Sequence, residues 1–204
     1  MLRRALDDLG RRWQANGGYR QLLVVAFPLV LSTGSWSLQH FVNRVFLAWY
    51  SPEALAAATP SGILSFTLMT PFIGAAGYVS TFVAQYSGAR RPERIGPTVW
   101  QGLYVSLGGA VLMALLIPFA DPLFRLIGHA EEIQRLEVVY FRILCMGAFP
   151  AIASSALAGF FSGRGATWPV LWVSLITAAV TIGLDYLLIF GAGIFPELGI
   201  SGAA

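Results

Sequence analysis

The sequence has no lysine, one cysteine, two histidines and few charges of either sign. Each shortage removes a class of function. A single cysteine, Cys145, cannot close an intrachain disulfide, and no CxxC or Cys/His spacing points to a metal site. Inside its apolar run Cys145 reads as a small buried hydrophobe. The histidines, His40 and His129, stand outside any HExxH pattern, so zinc-protease chemistry has no carrier. An intramembrane aspartyl protease needs two facing carboxylates. The apolar runs hold one acid well inside them, Asp185. No serine shows a histidine base, so a serine enzyme has no support either. The chain is expected not to be an enzyme and to hold no metal or organic cofactor.

Charged residues make up 11% of the chain, where a soluble domain has about 25%. What fills the space is apolar: 56% of the 204 residues, with a mean hydropathy of +0.68. Lipid, not water, solvates such a chain. The net charge is +3, and every positive charge is an arginine. Nucleic acid would need a basic face with aromatics within reach. Here the arginines flank apolar runs, so they report membrane orientation instead, and no nucleic-acid partner is expected.

Five runs reach the ~20 residues that a spanning helix needs. They cover residues 21–50, 58–86, 97–119, 138–161 and 169–190, with a sixth beginning at Gly199. The fold class is therefore all-α: a polytopic transmembrane helix bundle. Turn residues mark the breaks, at Ser51-Pro52-Glu53, residues 88–94, Asp121-Pro122, Gly163-Arg164-Gly165 and residues 191–196. Arg3, Arg4, Arg11, Arg12 and Arg20 precede the first run; Arg90, Arg91 and Arg94 follow the second; Arg164 follows the fourth. That bias places the N-terminus in the cytoplasm and the loop around Gly193 outside. The apolar run after the basic start is too long for a signal peptide, so it is expected to stay as the first span. Residues 1–20 form a separate cytoplasmic segment, either an interfacial amphipathic helix or a tail of orienting charge.

Gly74, Gly77, Ser80, Gly102, Ser106, Gly108 and Gly109 lie within the spans, where small residues let helices approach closely. Pro28, Pro71 and Pro150 each remove a backbone donor and are expected to bend their helices.

A charge at membrane depth costs at least ~2.5 kcal/mol. Asp185 is placed in the outer third of the fifth span, with Thr181 one turn earlier on the same face. Its functional reading is a proton or sodium acceptor; its plain reading is a structural hydrogen-bond acceptor. In the first span Ser32, Ser35, Gln39 and Asn43 follow the spacing of one helical face, with His40 and Arg44 beside them. This stripe either lines a cavity or bonds a neighbouring helix. Tyr140 and Arg142 open the fourth span, and Glu137 is badly spaced to pair with Arg142. Tyr140 is either an interfacial anchor or a cavity residue.

These pieces, in order, resemble the multidrug and toxic compound extrusion (MATE) family. They are Phe27-Pro28-Leu29-Val30-Leu31, Phe41-Val42-Asn43-Arg44-Val45-Phe46, Val83-Ala84-Gln85-Tyr86-Ser87-Gly88-Ala89, Gly159-Phe160-Phe161-Ser162-Gly163-Arg164-Gly165 and Leu184-Asp185-Tyr186-Leu187-Leu188-Ile189-Phe190-Gly191. The resemblance implies about twelve helices in two six-helix lobes, of which residues 21–204 would be the first, stopping as its sixth helix begins. It implies export of organic, often cationic, compounds across the bacterial inner membrane in exchange for H⁺ or Na⁺ as coupling ion. A second six-helix lobe is then a required partner. Asp185 matches the family's acid in the fifth helix. Thr181 stands where Asn is usual, and Asn43 where Asp is usual. Gln39, His40 and Tyr140 are the expected cavity residues. Two rivals remain. A lipid-linked sugar flippase of the same superfamily would hold pyrophosphate with Arg44 and Arg142. A non-transporting membrane subunit would need only the small-residue packing.

Overall fold

A computed structural model of the chain describes residues 13, 18–191 and 195–204. Residues 1–12 and 14–17, most of the expected N-terminal segment, lie outside the described residues, as do 192–194 around Gly193. The described residues form helices and turns, with no strand among them. The helices are α1 (Tyr19–Tyr50), α2 (Pro52–Gly77), α3 (Val79–Gly88), α4 (Ile95–Leu116), α5 (Ala120–Ile127), α6 (Glu131–Met146), α7 (Ala148–Gly163) and α8 (Thr167–Phe190). A 3₁₀ turn, Gly199–Ala203, follows.

Four helical stretches are long and apolar enough to cross a membrane: Leu22–Tyr50, Pro52–Gly88, Pro92–Ile127 and Thr167–Phe190. The pair α6–α7, bent by 45°, makes a fifth. The expected spans are thus present, with longer ends. Asp121-Pro122 was expected to open a break, yet both residues lie in α5. Pro122 sits in its first turns, where the missing N–H has no helical acceptor to serve. The true break is Gly128–Ala130, with Gly128 at φ 81. Glu131 and Glu132, expected in that loop, instead occupy the first turn of α6, where the helix dipole favours acids.

The bend expected at Pro150 is present, since α6 and α7 meet at 45° just before it. Pro28, Pro60 and Pro71 ride inside helices that continue past them. Pro150 lies in the first turn of α7, a position that tolerates proline, and the break before it falls at Gly147. The second span breaks at Tyr78.

Small residues explain the packing. α1 lies against α8; α2 against α6 and α7; α4 and α3 against α7. A Cβ added to Gly102 of α4 would sit 2.6 Å from Val79 and 2.9 Å from Ala156. One core joins Val83, Met113, Phe124, Phe141 and Ile152; the other joins Leu47, Ala57, Tyr140, Ile189 and Ile200. Cys145 is buried, as its apolar run implied. After α8 the chain turns back at Gly191, whose φ of 66 suits glycine. Leu198 then donates its N–H to the Leu188 carbonyl at 2.8 Å, which lays the Gly199–Ala203 turn on the end of α8. Gly102→Val should overpack the contact between α4 and α7 by about 1–3 kcal/mol; a lowered thermal midpoint in detergent checks it against Gly108→Ala, whose Cβ meets nothing within 4 Å.

Candidate functional site

The polar stripe of α1 faces inward. Ser32, Ser35, Gln39 and Asn43 are each half-buried, while Thr33, Ser37 and His40 on other faces are exposed. Both of its hydroxyls serve their own helix: Ser32 donates to the Pro28 carbonyl at 2.9 Å and Ser35 to that of Leu31 at 2.9 Å. That removes a donor that lipid could not satisfy. Asn43 is different. Its Nδ2 donates to Asp185 Oδ2 at 2.9 Å and to the Ala203 carbonyl at 3.1 Å. One amide therefore ties α1, α8 and the C-terminal turn together.

Asp185 is 6% exposed. No arginine or histidine among the described residues lies within ion-pair distance of it. A carboxylate in such surroundings needs a counter-charge or a proton, because burial of a lone charge is costly. Thr181 is half-buried one turn earlier, and no hydrogen bond joins it to Asn43 or Asp185. Asn43 and Asp185 thus form a two-residue node with Thr181 beside it.

The expected cavity residues separate. Gln39 lines a groove of about 520 Å³ between α1, α7 and α8, together with Ser32, Trp36, Ser155, Phe161 and Thr177. His40 is exposed outside this groove, with its ring edge-on to Trp36 at 4.3 Å. Tyr140 is 8% exposed and packs in the core with Leu47 and Ile189.

One acid escaped the sequence reading. Glu137, expected just before the fourth span, is fully buried, so Asp185 is not the only acid inside the bundle. Its partner is not Arg142: Glu137 Oε1 lies 2.7 Å from His129 Nδ1, and Arg142 pairs with Asp121 of α5. The eight-residue separation of His129 and Glu137 crosses a helix break, so no helical spacing rule could reveal it. The signal available was the αL glycine, Gly128, which turns the chain so that His129 faces α6.

The MatE family profile matches residues 28–187. The chain belongs to the MatE family. It is similar to the probable multidrug resistance protein NorM of Synechocystis, with 28% identity over 199 residues, 98% of this chain and 43% of that protein. It is similar also to that of Burkholderia pseudomallei, with 33% identity over 181 residues, 88% of this chain and 39% of that protein. Among solved structures, a MOP superfamily transporter from Pyrococcus furiosus shares the fold at a TM-score of 0.81 and 23% identity, over 90% of this chain and 40% of that one. A P26A mutant of a MATE protein does so at 0.83 and 22%, over 95% and 42%. The chain spans about two fifths of the length of the curated relatives it matches. Membership makes it a multi-pass membrane protein of a family whose named relatives are probable multidrug resistance proteins.

Two substitutions test the geometry. Asn43→Ala strips Asp185 and the Ala203 carbonyl of a shared donor and should destabilise the lobe by about 1–3 kcal/mol, read as a lower thermal midpoint and faster hydrogen exchange at residues 199–203. His129→Ala leaves the Glu137 carboxylate buried without its partner. It should lower the midpoint clearly more than Arg135→Ala, which breaks an exposed pair with Glu131 worth about 0.5 kcal/mol or less.

Proposed function

We propose that this chain forms a lobe of a cation-coupled exporter that moves organic compounds out across the bacterial inner membrane by alternating access. The observation that carries this is the Asn43–Asp185 bond: a buried acid without a counter-charge among the described residues, held by one amide at the junction of α1, α8 and the C-terminal turn. A charged acceptor makes a hydrogen bond roughly twice as strong as a neutral one. When Asp185 is ionised, Asn43 holds α1 firmly against α8. When Asp185 takes up H⁺ or Na⁺, that hold weakens, and α1 can move relative to α8. Ion binding is thereby converted into a change in helix packing, which is what coupling requires.

Several features support this over its rivals. Arg44 donates to Thr59 and Arg142 to Asp121, so both guanidiniums have protein partners; a flippase would need them for pyrophosphate. Arg90, Arg91 and Arg94 flank the turn between α3 and α4, and Arg164 that between α7 and α8. Five crossings bring both turns to the side of the N-terminus, which favours a cytoplasmic N-terminus. Alternating access further requires a second six-helix lobe, from the same gene or another chain, with the two lobes rocking about their shared face. The named relatives are probable multidrug resistance proteins, which favours a drug-like organic substrate.

The test is drug susceptibility of an efflux-deficient bacterium expressing the native gene. Asp185→Asn should abolish the resistance it confers, with protein in the membrane at normal level. Asn43→Asp, which adds a second acid to the node, should retain resistance with a shifted pH dependence. Full resistance in Asp185→Asn would overturn the coupling role.

A further inference from the structure

Arg44 carries a charge inside α1 that no carboxylate neutralises: among the described residues no acid lies within ion-pair distance of it. Its guanidinium does not reach back toward the α1–α2 turn. Arg44 sits six residues before the end of α1, yet a Cβ built on Gly62 of α2 would lie 3.8 Å from its Nη2. Gly62 is ten residues past Pro52, the start of α2. That is about 15 Å from the turn, near the middle of a ~30 Å hydrocarbon core. A snorkelling arginine would extend the other way, toward the headgroups. One hydrogen bond supports the half-buried head: Arg44 donates to Thr59 Oγ1, and Thr59 spends its own hydrogen on the Leu55 carbonyl at 3.1 Å. A hydroxyl accepts a bond but brings no charge, and a guanidinium has five donors. A cation at this depth needs an anion.

We infer that this face of α1 and α2 is an anion site, where Arg44 takes the carboxylate of an aromatic monoacid and exposed rings take its aromatic part. The rings are in place. His40 is one turn before Arg44 on the same face of α1, edge-on to Trp36 at 4.3 Å. Trp36 stands 6.1 Å from Phe66, which is one turn past Gly62 on α2. All three rings are exposed. From Gly62 to Phe66 is about 6 Å along the helix, a span that a two-ring acid bridges. The planar guanidinium matches a carboxylate with two parallel bonds. Charge excludes the alternatives. A cation is repelled by Arg44. Pyrophosphate calls for more than one guanidinium, and Arg142 is already held by Asp121. An anionic headgroup stays at the membrane surface, half a core away. Only the role of this site in binding cargo rests on the export reading; the binding itself does not.

The test is calorimetric titration of the full protein, expressed from the native gene, in nanodiscs of uncharged phosphatidylcholine. The probes are 2-naphthoate, its neutral isostere 2-naphthamide and the cation of 2-naphthylmethylamine. The acid should bind about tenfold more tightly than the amide, the gain expected of bonds to a charged group, and the cation more weakly than either. Arg44→Gln should bring the acid down to the affinity of the amide. Arg44→Lys, which keeps the charge without the fork, should retain part of the preference. Should Arg44→Gln fail to fold, Arg44→Lys makes the comparison: it should weaken the acid and leave the amide unchanged. Equal binding of acid and amide, an undiminished preference in both variants, or no binding of 2-naphthoate would overturn the inference. The last is the outcome if an acid of a second lobe fills the site. Each would leave the export reading standing; that reading falls only if Asp185→Asn keeps its drug resistance.

Discussion

Hydrocarbon offers no hydrogen bonds, and this constraint governs where every polar atom of the lobe can go. Along the spans the hydroxyls are turned back on their own helices. Thr67 bonds Ile63, Thr70 bonds Phe66 and Ser106 bonds Gly102. Such groups are satisfied before any neighbour arrives, so they contribute little to holding helices together. Cohesion falls instead to close packing of small residues. Gly77, Gly102 and Gly109 each sit where a Cβ would meet an atom of another helix under 3 Å away. The side-chain bonds that do cross between segments are correspondingly few among the described residues: Asn43–Asp185, Arg44–Thr59, His129–Glu137 and Asp121–Arg142 join side chains, and Asn43, Ser61 and Ser155 donate to the Ala203, Glu137 and Ile73 carbonyls.

These crossing contacts divide the work. Two of them fasten the α5–α6 region: Asp121 of α5 holds Arg142, and His129 in the turn holds Glu137. Phe124 packs edge-on against Phe141 between them, with ring centroids 5.6 Å apart. This corner is pinned by charge and by aromatic packing. The Asn43–Asp185 node has neither a counter-charge at ion-pair distance nor a further side-chain hydrogen bond among the described residues. Under the proposed coupling, the firmly fixed corner stays in place and the Asn43–Asp185 bond is where the bundle moves. The groove begins one turn from that bond on α1, at Gln39, and two turns from it on α8, at Thr177, so any shift of α1 against α8 also reshapes the groove.

The sequence made the spans legible because apolar length is a one-dimensional property. Their bends were legible in part: the 45° break between α6 and α7 falls just before Pro150, while Pro28 and Pro71 lie inside helices that continue past them. The Asp185 site was found from charge at depth, and Asn43 from its place on the α1 stripe. Their hydrogen bond spans 142 residues of sequence, and only packing of α1 on α8 creates it. Tyr140 illustrates the opposite case: an aromatic at a span end fits anchor, cavity or core equally, and the structure places it in core. Glu137 was hidden because the apolar run starts one residue after it, while α6 starts six residues before.

The central claim is that Asp185 exchanges its bond to Asn43 for a coupling ion. Isotope-edited infrared difference spectroscopy on the chain in nanodiscs tests it directly, with labelled aspartate and a step in pH or sodium. The account predicts loss of an ionised carboxylate band on protonation, or a shift of that band on sodium binding, together with a shift of the asparagine amide band, all absent in Asp185→Asn. A carboxyl band that responds to neither ion, or an unchanged amide band while the carboxyl titrates, would contradict it.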